Sequence, residues 1–310
     1  MKKVYLLGSG FSAAAGAPTS IQVLGQIFSQ QSADKKLTDL YNWLDTHLFA
    51  NRPNWLYNTD VEEVLTRLNL FDHYEEQQSL GARTLEANTR LLLQQFVKLL
   101  RPENLPVFPA FYDTFARRLN SDDKIITFNY DLILEKSLDG AGLTYDYQLP
   151  LQNQDRQTRN DRGKKCIKVA KLHGSINIVF CPENHKLVRL PDDNKVTGLE
   201  DASGLGPFII PPTLFKSYSM PALRQLWYTA FGQLSEAQEL VIIGYSLPYA
   251  DILTAQMLDF AFQKGIIEKV LVVNGPDSDI SRLKSVFQTK LENTNLLFTE
   301  WIAAAGKDPK

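Results

Sequence analysis

The chain has 310 residues, of which 44% are hydrophobic and 22% are charged, with a formal net charge of −2. This near-neutral charge excludes a global electrostatic attraction to nucleic acid or to anionic membranes. The only cysteines are Cys166 and Cys181, which excludes a four-thiolate zinc site within the chain and suggests a reducing compartment. No apolar run approaches the ~20 residues of a membrane span, and the first run is too short for a signal peptide. We therefore expect a cytoplasmic protein that does not enter a membrane.

Short apolar runs predict buried parallel strands, each leading into glycine, asparagine or serine. Four are clear and a fifth is weaker: residues 4–7, 124–128, 240–243 and 269–273, and residues 167–172. This pattern predicts an α/β fold with a Rossmann-like, doubly wound and mostly parallel sheet. Because ligands of such sheets bind beyond the carboxyl ends of the strands, the residues that follow each run are the candidate site.

Residues 21–119 have apolar side chains at helical spacing. One interpretation is a helical module inserted between the first and second strands, and the other is ordinary helices packed on one face of the sheet. We expect a single domain over residues 1–310, in which 1–20 and 120–310 form the nucleotide-binding core and 21–119 form the helical insertion.

Residues 151–215 have the least regular pattern. This segment contains a basic stretch, which consists of Arg156, Arg159, Arg162, Lys164, Lys165, Lys168 and Lys171. Such a stretch predicts either a solvated surface or a contact with a phosphate or a partner. The stiff apolar segment 207–212 is interpreted as a pocket wall or as an edge of the core.

The glycine-rich turn Gly8-Ser9-Gly10 follows the first predicted strand and precedes a helix. Glycines permit a tight turn and a close approach to a pyrophosphate, and the start of the helix offers amide groups. A dehydrogenase would require a second short strand that ends in an acidic residue within about 20 positions, to bind the ribose, and no such strand follows here. Instead Pro18 and Thr19 begin a loop that could fold over the ligand.

Two polar motifs follow later strands. Asn129 and Asp131 lie where a strand turns into a helix, so they are either site residues or helix caps. His173 precedes a glycine, and an imidazole with a pKa near 6.5 suits the acceptance of a proton. After the last two strands, Gly244 and Ser246, and then Asn274, are candidates to bind phosphate, ribose or adenine.

The order of these motifs along the chain resembles the sirtuin superfamily: a glycine turn, a G-x-P loop, Asn-x-Asp, His-Gly, G-x-S and a terminal asparagine, from Lys3 to Asn274. The resemblance implies a sirtuin-like fold that binds NAD and cleaves its bond between nicotinamide and ribose. It also implies roles for individual residues. The pyrophosphate would be held by Gly8, Ser9, Gly10 and Ser12. Asn129 would lie beside the reacting ribose, Asp131 would bind the nicotinamide carboxamide, and His173 would be the general base. The adenosine half would contact Ser246 and Asn274.

Departures from the deacylase pattern concern three features. The zinc cysteines are missing, Phe128 replaces the glutamine before the asparagine, and the phenylalanine and arginine of the cofactor loop are absent after Pro18. These changes resemble divergent bacterial sirtuin-like NAD hydrolases that act in defence against phage.

The resulting prediction is an NAD glycohydrolase that consumes NAD as its substrate and needs no metal. The alternatives are an NAD-dependent protein deacylase, a non-catalytic sensor of NAD or ADP-ribose, and, less favoured, an oxidoreductase. Expected partners are a second copy of the chain or a partner defence protein, which residues 21–119 or 156–171 would contact. Nucleic acid would be bound only indirectly, through such a partner.

Overall fold

The computed structural model describes residues 2–29, 33–76, 82–101, 108–152, 165–181, 186–190, 206–218 and 220–304. Its strands are β1 (Lys3–Leu7), β2 (Lys124–Thr127), β3 (Thr144–Asp146), β4 (Cys166–Lys171), β5 (Gly174–Cys181), β6 (Lys186–Arg189), β7 (Gly206–Ile209), β8 (Glu239–Ile243), β9 (Lys269–Val273) and β10 (Leu291–Asn293). Its α-helices are α1 (Ser9–Ala13), α2 (Ser20–Phe28), α3 (Lys35–His47), α4 (Trp55–Asn58), α5 (Val61–Glu76), α6 (Ala82–Leu99), α7 (Phe111–Arg118), α8 (Ile133–Gly140), α9 (Pro221–Ser235), α10 (Ile252–Lys264), α11 (Ser281–Phe287) and α12 (Phe298–Ala304).

The main sheet has seven strands in the order β10-β9-β8-β1-β2-β4-β3, and every neighbouring pair is parallel. Its central strands are almost entirely buried, because helices cover both faces of a parallel sheet and leave no polar face. The five predicted strands are confirmed to within one residue at either end, and so is the Rossmann-like α/β fold. The two edge strands, β3 and β10, were not predicted, since three residues are too few for a recognisable pattern.

The strand order places a switch point between β1 and β8. From β1 the chain builds one half of the sheet, through β2, β3 and β4, and then crosses to β8 to build the other half. At such a point the loops that leave the two central strands diverge, and a crevice opens beyond their carboxyl ends. The segments after β1, β2, β4 and β8 therefore meet at one edge.

Helices α2 to α6 have a hydrophobic core of their own. In α3, for example, Leu37, Leu40 and Leu44 recur at helical spacing and are buried. This second core is separate from the core around the main sheet and also includes Tyr130, Leu132 and Ile176 from the rest of the chain. Helix α7 falls inside the predicted insertion, but its buried side chains pack in the core of the main sheet. The division of the chain into domains stays a prediction.

A second, antiparallel sheet of order β6-β5-β7 lies in the segment that has the least regular sequence pattern. Segment 207–212 enters this sheet through β7, and its last residue, Pro212, reaches the candidate cavity described below. Of the basic stretch, residues 156, 159, 162 and 164 lie outside the described residues. Lys168 pairs with Asp146 at the surface, whereas Lys171 is fully buried. A surface role for Lys171 was therefore wrong, because its strand lies inside the sheet.

Within the described ranges, no helix is both long and apolar enough to cross a membrane.

Candidate functional site

A cavity of about 220 Å³ lies at the switch point. Of the predicted site residues, those in its lining are Gly8, Ser9, Ser12, Pro18, Asn129, Asp131, His173, Gly244 and Ser246. Two larger depressions, on helices α3, α4 and α6, contain none of the predicted residues. Of these three, only the cavity at the switch point combines the predicted polar groups with the carboxyl ends of the strands, so it is the candidate site.

The glycine turn packs directly against the loop after β8. A Cβ atom on Gly8 would lie 2.5 Å from the carbonyl oxygen of Gly244, and one on Gly10 would lie 2.6 Å from the Gly244 Cα. Gly244 itself has a φ of +64°. The amides of Gly8, Gly10 and Phe11 already donate to backbone carbonyls at 3.0 Å. The glycines are therefore required for close packing of two loops, and their pyrophosphate contact stays a prediction.

Three predicted residues do not line the cavity. Gly10 lies in the packed turn, and Thr19 begins α2, where its amide donates to Gln22 Oε1 at 3.0 Å. Asn274 is buried, and its Nδ2 donates to the carbonyl oxygen of Tyr245 at 3.0 Å. Its Oδ1 has no hydrogen-bond partner among the described residues. Their roles in binding stay predictions.

Asn129 is held in one orientation at the floor of the cavity. Its Nδ2 donates to the carbonyl oxygen of Gly8 at 2.8 Å and to Ser12 Oγ at 2.9 Å. Its backbone amide donates to Thr127 Oγ1 at 3.1 Å. With Nδ2 committed to these acceptors, the side-chain oxygen of Asn129 receives no hydrogen bond from the described residues. That oxygen is available to a ligand or to water.

Asp131 combines a hydrogen bond to the start of α8 with a buried position in the cavity wall. Its Oδ1 accepts from the amide of Ile133, the first residue of α8, at 3.0 Å, whereas the residue at the N-cap position is Leu132. Burial raises the pKa of this carboxyl group, while Lys171, the Ile133 amide and the Ser12 hydroxyl oppose that rise.

His173 lies in the turn between β4 and β5 and is 5% exposed. Gly174 follows with a φ of +86°, and a Cβ there would lie 2.0 Å from the carbonyl oxygen of Phe208, so only glycine fits. Phe128 and Tyr130 lie beside the imidazole, with ring centroids at 5.1 and 5.9 Å. Its Nε2 is buried and has no hydrogen-bond partner among the described residues.

The apolar surroundings alter the protonation of His173. Burial lowers its pKa to about 4; Asp251 opposes this shift and Lys216 adds to it. The expected pKa near 6.5 was therefore wrong, because the sequence did not show that aromatic rings enclose the imidazole. The side chain is therefore neutral at neutral pH.

The sequence interpretation missed an ionic cluster at the rim, formed by Glu62 of α5, Lys216 and Asp251. Lys216 Nζ lies 2.9 Å from Glu62 Oε1 and 3.0 Å from Asp251 Oδ1. Burial works to lower the pKa of Lys216, but the two carboxylates outweigh it and leave that pKa raised. Asp251 also accepts from the hydroxyl of Tyr245 at 2.7 Å. Asp251 could have been predicted, because it lies in the segment that follows β8. Glu62 could not, because it lies in an ordinary amphipathic helix pattern.

Carboxyl groups predominate in the cavity lining. Asp60, Glu62, Asp131 and Asp251 line it, Glu62 and Asp251 share Lys216 behind them, and no lysine or arginine is among the described lining residues. Such a lining favours a group that carries or develops positive charge and gives a phosphate only backbone and hydroxyl donors. No group of three or more histidine, cysteine, aspartate or glutamate residues suited to a metal ion occurs in the part of the chain that is described.

The comparisons with known proteins agree with this architecture. The family described as SIR2-like domain matches residues 123–285, which is more than half of the chain. Two solved structures of a Sir2 homologue in complex with ADP-ribose, one with a histidine-to-asparagine and one with a serine-to-alanine substitution, each have a TM-score of 0.51 and 15% identity. Each alignment covers 99% of this chain and 94% of the other.

A search of curated proteins finds no match. At 15% identity the solved structures show the fold alone, whereas the sequence match reaches across β2 to α11 and includes the Asn129 and His173 motifs. The resemblance to the sirtuin superfamily is thereby confirmed, and the chain belongs to the SIR2-like domain family.

Proposed function

We propose that this protein is an NAD glycohydrolase, which hydrolyses NAD to nicotinamide and ADP-ribose, with Asn129 and His173 as catalytic residues. One observation carries the proposal. At a single cavity, Asn129 offers a fixed side-chain oxygen and His173 a buried, unpartnered Nε2. Buried polar atoms are rarely left without a partner, so the Nε2 atom of His173 fits a polar ligand.

The acidic lining supports this chemistry. When the bond between nicotinamide and C1′ of the ribose breaks, the bonding electron pair leaves with the nicotinamide nitrogen, and the ribose becomes oxocarbenium-like. Carboxylates at the wall stabilise that positive charge, and a neutral His173 does not repel it.

Water then completes the reaction. The oxygen of Asn129 orients a water molecule towards C1′, a C–O bond forms, and His173 accepts the proton that the water loses. A histidine whose pKa is lowered to about 4 is a weak base. It is adequate here because water becomes strongly acidic only as it bonds to the cation.

The rest of the substrate would be held mainly by backbone and hydroxyl groups. All four side chains concerned lie in the cavity lining. Ser9 and Ser12 would contact the pyrophosphate, Ser246 the adenosine half, and Asp131 the nicotinamide carboxamide. The cavity of about 220 Å³ is smaller than the ~300–1,000 Å³ typical of small-molecule sites.

The decisive experiment incubates the purified protein with NAD, with and without an acetylated peptide, and separates the products by chromatography. We expect nicotinamide and ADP-ribose without any peptide. Production of O-acetyl-ADP-ribose only when peptide is present would identify a deacylase, and binding without turnover would identify a sensor.

Variants test the assigned residues. Asn129→Ala and His173→Ala should each reduce nicotinamide release by ~100-fold or more while the protein remains folded. Asn120→Ala and His47→Ala, at exposed positions, are the matched controls. Normal turnover in His173→Ala would remove that residue from the mechanism.

The resemblance further suggests a role in defence against phage, in the cytoplasm and together with a second copy or a partner protein. Expression of the wild type and of Asn129→Ala in bacteria challenged with phage tests this role. Protection that depends on Asn129, accompanied by NAD depletion during infection, is the expected result. Equal protection by both proteins would separate defence from NAD cleavage.

A further inference from the structure

A buried ion pair lies behind the candidate site and outside its lining. Lys171 Nζ is 2.8 Å from Glu135 Oε1, and the two side chains are 1% and 0% exposed. Lys171 lies two positions before His173, and Glu135 lies four positions after Asp131. Burying two charges costs more free energy than burying apolar side chains of the same size, so hydrophobic packing does not account for this pair.

Lys171 makes a second contact that connects the two motifs of the site. Its ammonium group donates to the backbone carbonyl oxygen of Asp131. The end of β4, which leads into His173, is thereby joined to the turn that carries Asn129 and Asp131. In the main sheet β2 and β4 are neighbours, so the pair lies just behind the point where their loops separate.

Glu135 is held in turn by a polar network. The hydroxyl of Tyr147 donates to Glu135 Oε1 at 2.8 Å, and Asn177 Nδ2 donates to that hydroxyl at 3.1 Å. Ser175 donates to Asn177 Oδ1 at 2.8 Å. The network therefore extends from α8 into β5, on the far side of the turn that carries His173. Each of these groups is buried, which gives the pair a single preferred geometry.

We propose that Lys171 and Glu135 are positioning residues, which fix the Asn129–Asp131 turn relative to His173. The same contacts place both charges of the pair beside the turn that carries Asp131. This inference rests on the proposed function, in which that turn and His173 act on one substrate. The pair fixes the Asn129–Asp131 turn and the turn that carries His173 relative to each other. A site that must place two groups around one bond requires such a fixed arrangement.

The charges around Asp131 give the proposal a signature. Burial raises the pKa of Asp131, Lys171 lowers it and Glu135 raises it. The remaining titratable neighbour is Tyr112 of α7, whose own pKa is raised by burial and by Asp131. Removing the cation or the anion of the pair must therefore shift the ionisation of Asp131 in opposite directions.

The first experiment measures that ionisation directly. Protein labelled with ¹³C at the aspartate carboxyl carbons is titrated by NMR, and Asp131→Asn identifies the resonance. We expect the midpoint to rise in Lys171→Met and to fall in Glu135→Gln. Shifts of the same sign, or none, would overturn the proposal. If Lys171→Met does not fold, Glu135→Gln decides by the presence or absence of the downward shift.

The second experiment separates positioning from folding. In Lys171→Met/Glu135→Leu both charges are replaced by apolar groups, a change that buried ion pairs often tolerate. We expect a thermal midpoint within a few degrees of the wild type but a kcat for NAD cleavage reduced by ~10-fold or more. Lys168→Met, on the same strand but paired at the surface, is the matched control and should keep full activity. Full activity in the folded double variant would overturn the proposal. A wild type that leaves NAD intact would instead contradict the proposed function, while the NMR titration would still decide the role of the pair.

Discussion

Acidification should destabilise this protein through His173. Its pKa in the folded protein is about 4, against an ordinary value of 6.5, because burial disfavours the imidazolium ion. Below pH 6.5 the unfolded chain binds a proton that the folded protein does not, so the free energy of unfolding falls as the pH falls. The loss attributable to this residue amounts to about 2 kcal/mol at pH 5 and approaches about 3 kcal/mol below pH 4.

Urea denaturation of the wild type and of His173→Gln, from pH 7.5 to pH 4.5, isolates this contribution. Glutamine binds no proton in this range, so all other titrating groups affect both proteins in the same way. The stability of the wild type relative to His173→Gln should decrease by about 2 kcal/mol between pH 7 and pH 5. His47→Gln, at an exposed position of α3, is the control and should parallel the wild type.

A stability difference between the wild type and His173→Gln that stays constant from pH 7.5 to pH 4.5 would refute the reasoning. It would mean that the imidazole is protonated in the folded protein as readily as in the unfolded chain. The mechanism would then lose its neutral histidine, and the acidic wall would have to be interpreted as a partner of an imidazolium ion.

Two further variants test how the cavity walls are held. Gly244→Ala should lower the free energy of unfolding by about 3 kcal/mol or more, since φ is +64° and the new Cβ would lie 2.3 Å from a backbone nitrogen of α1. Gly232→Ala is the control: this glycine lies in α9 with open space around it, so its free energy of unfolding should stay the same or rise by up to ~1 kcal/mol. An unchanged stability of Gly244→Ala in urea denaturation would contradict the tight packing. Lys216→Met should lower the free energy of unfolding by about 3–5 kcal/mol, because it leaves the carboxylates of Glu62 and Asp251 without their cation. A thermal midpoint unchanged from the wild type would show that the cluster does not join α5 to the core.

The cavity is shared between the two hydrophobic cores. Glu62 of α5 and Asp60, which precedes that helix, lie in its wall, while the segments after β2 and β4 contribute Asn129 and His173. Lys216 and the hydrogen bond from the Leu214 amide to the hydroxyl of Thr66, 2.8 Å long, tie this helix to the loop after β7. Changes in α5 are therefore expected to affect NAD cleavage as well as stability.

Short-range patterns were sufficient for five strands of the main sheet and for nine residues of the cavity lining. The central strands are continuous apolar runs that end in turn residues, and the carboxyl ends of parallel strands meet at one edge, so Asn129, His173 and Gly244 could be placed together from the sequence. The start of the second sheet at Gly174 was not recognised, because an apolar run beside a long irregular segment has no distinctive period.

The amino-acid sequence by itself determined the parallel α/β fold, the family and the edge of the sheet that carries the chemistry, because these depend on local composition and on the order of short motifs. Only the tertiary structure decided how each group behaves there. Burial beside aromatic rings makes His173 neutral, close packing explains the glycines at 8 and 10, and pairing across the sheet buries Lys171, which the sequence placed in a basic surface stretch. Protonation, close contact and burial depend on neighbours that are distant in sequence, so no local pattern contains them.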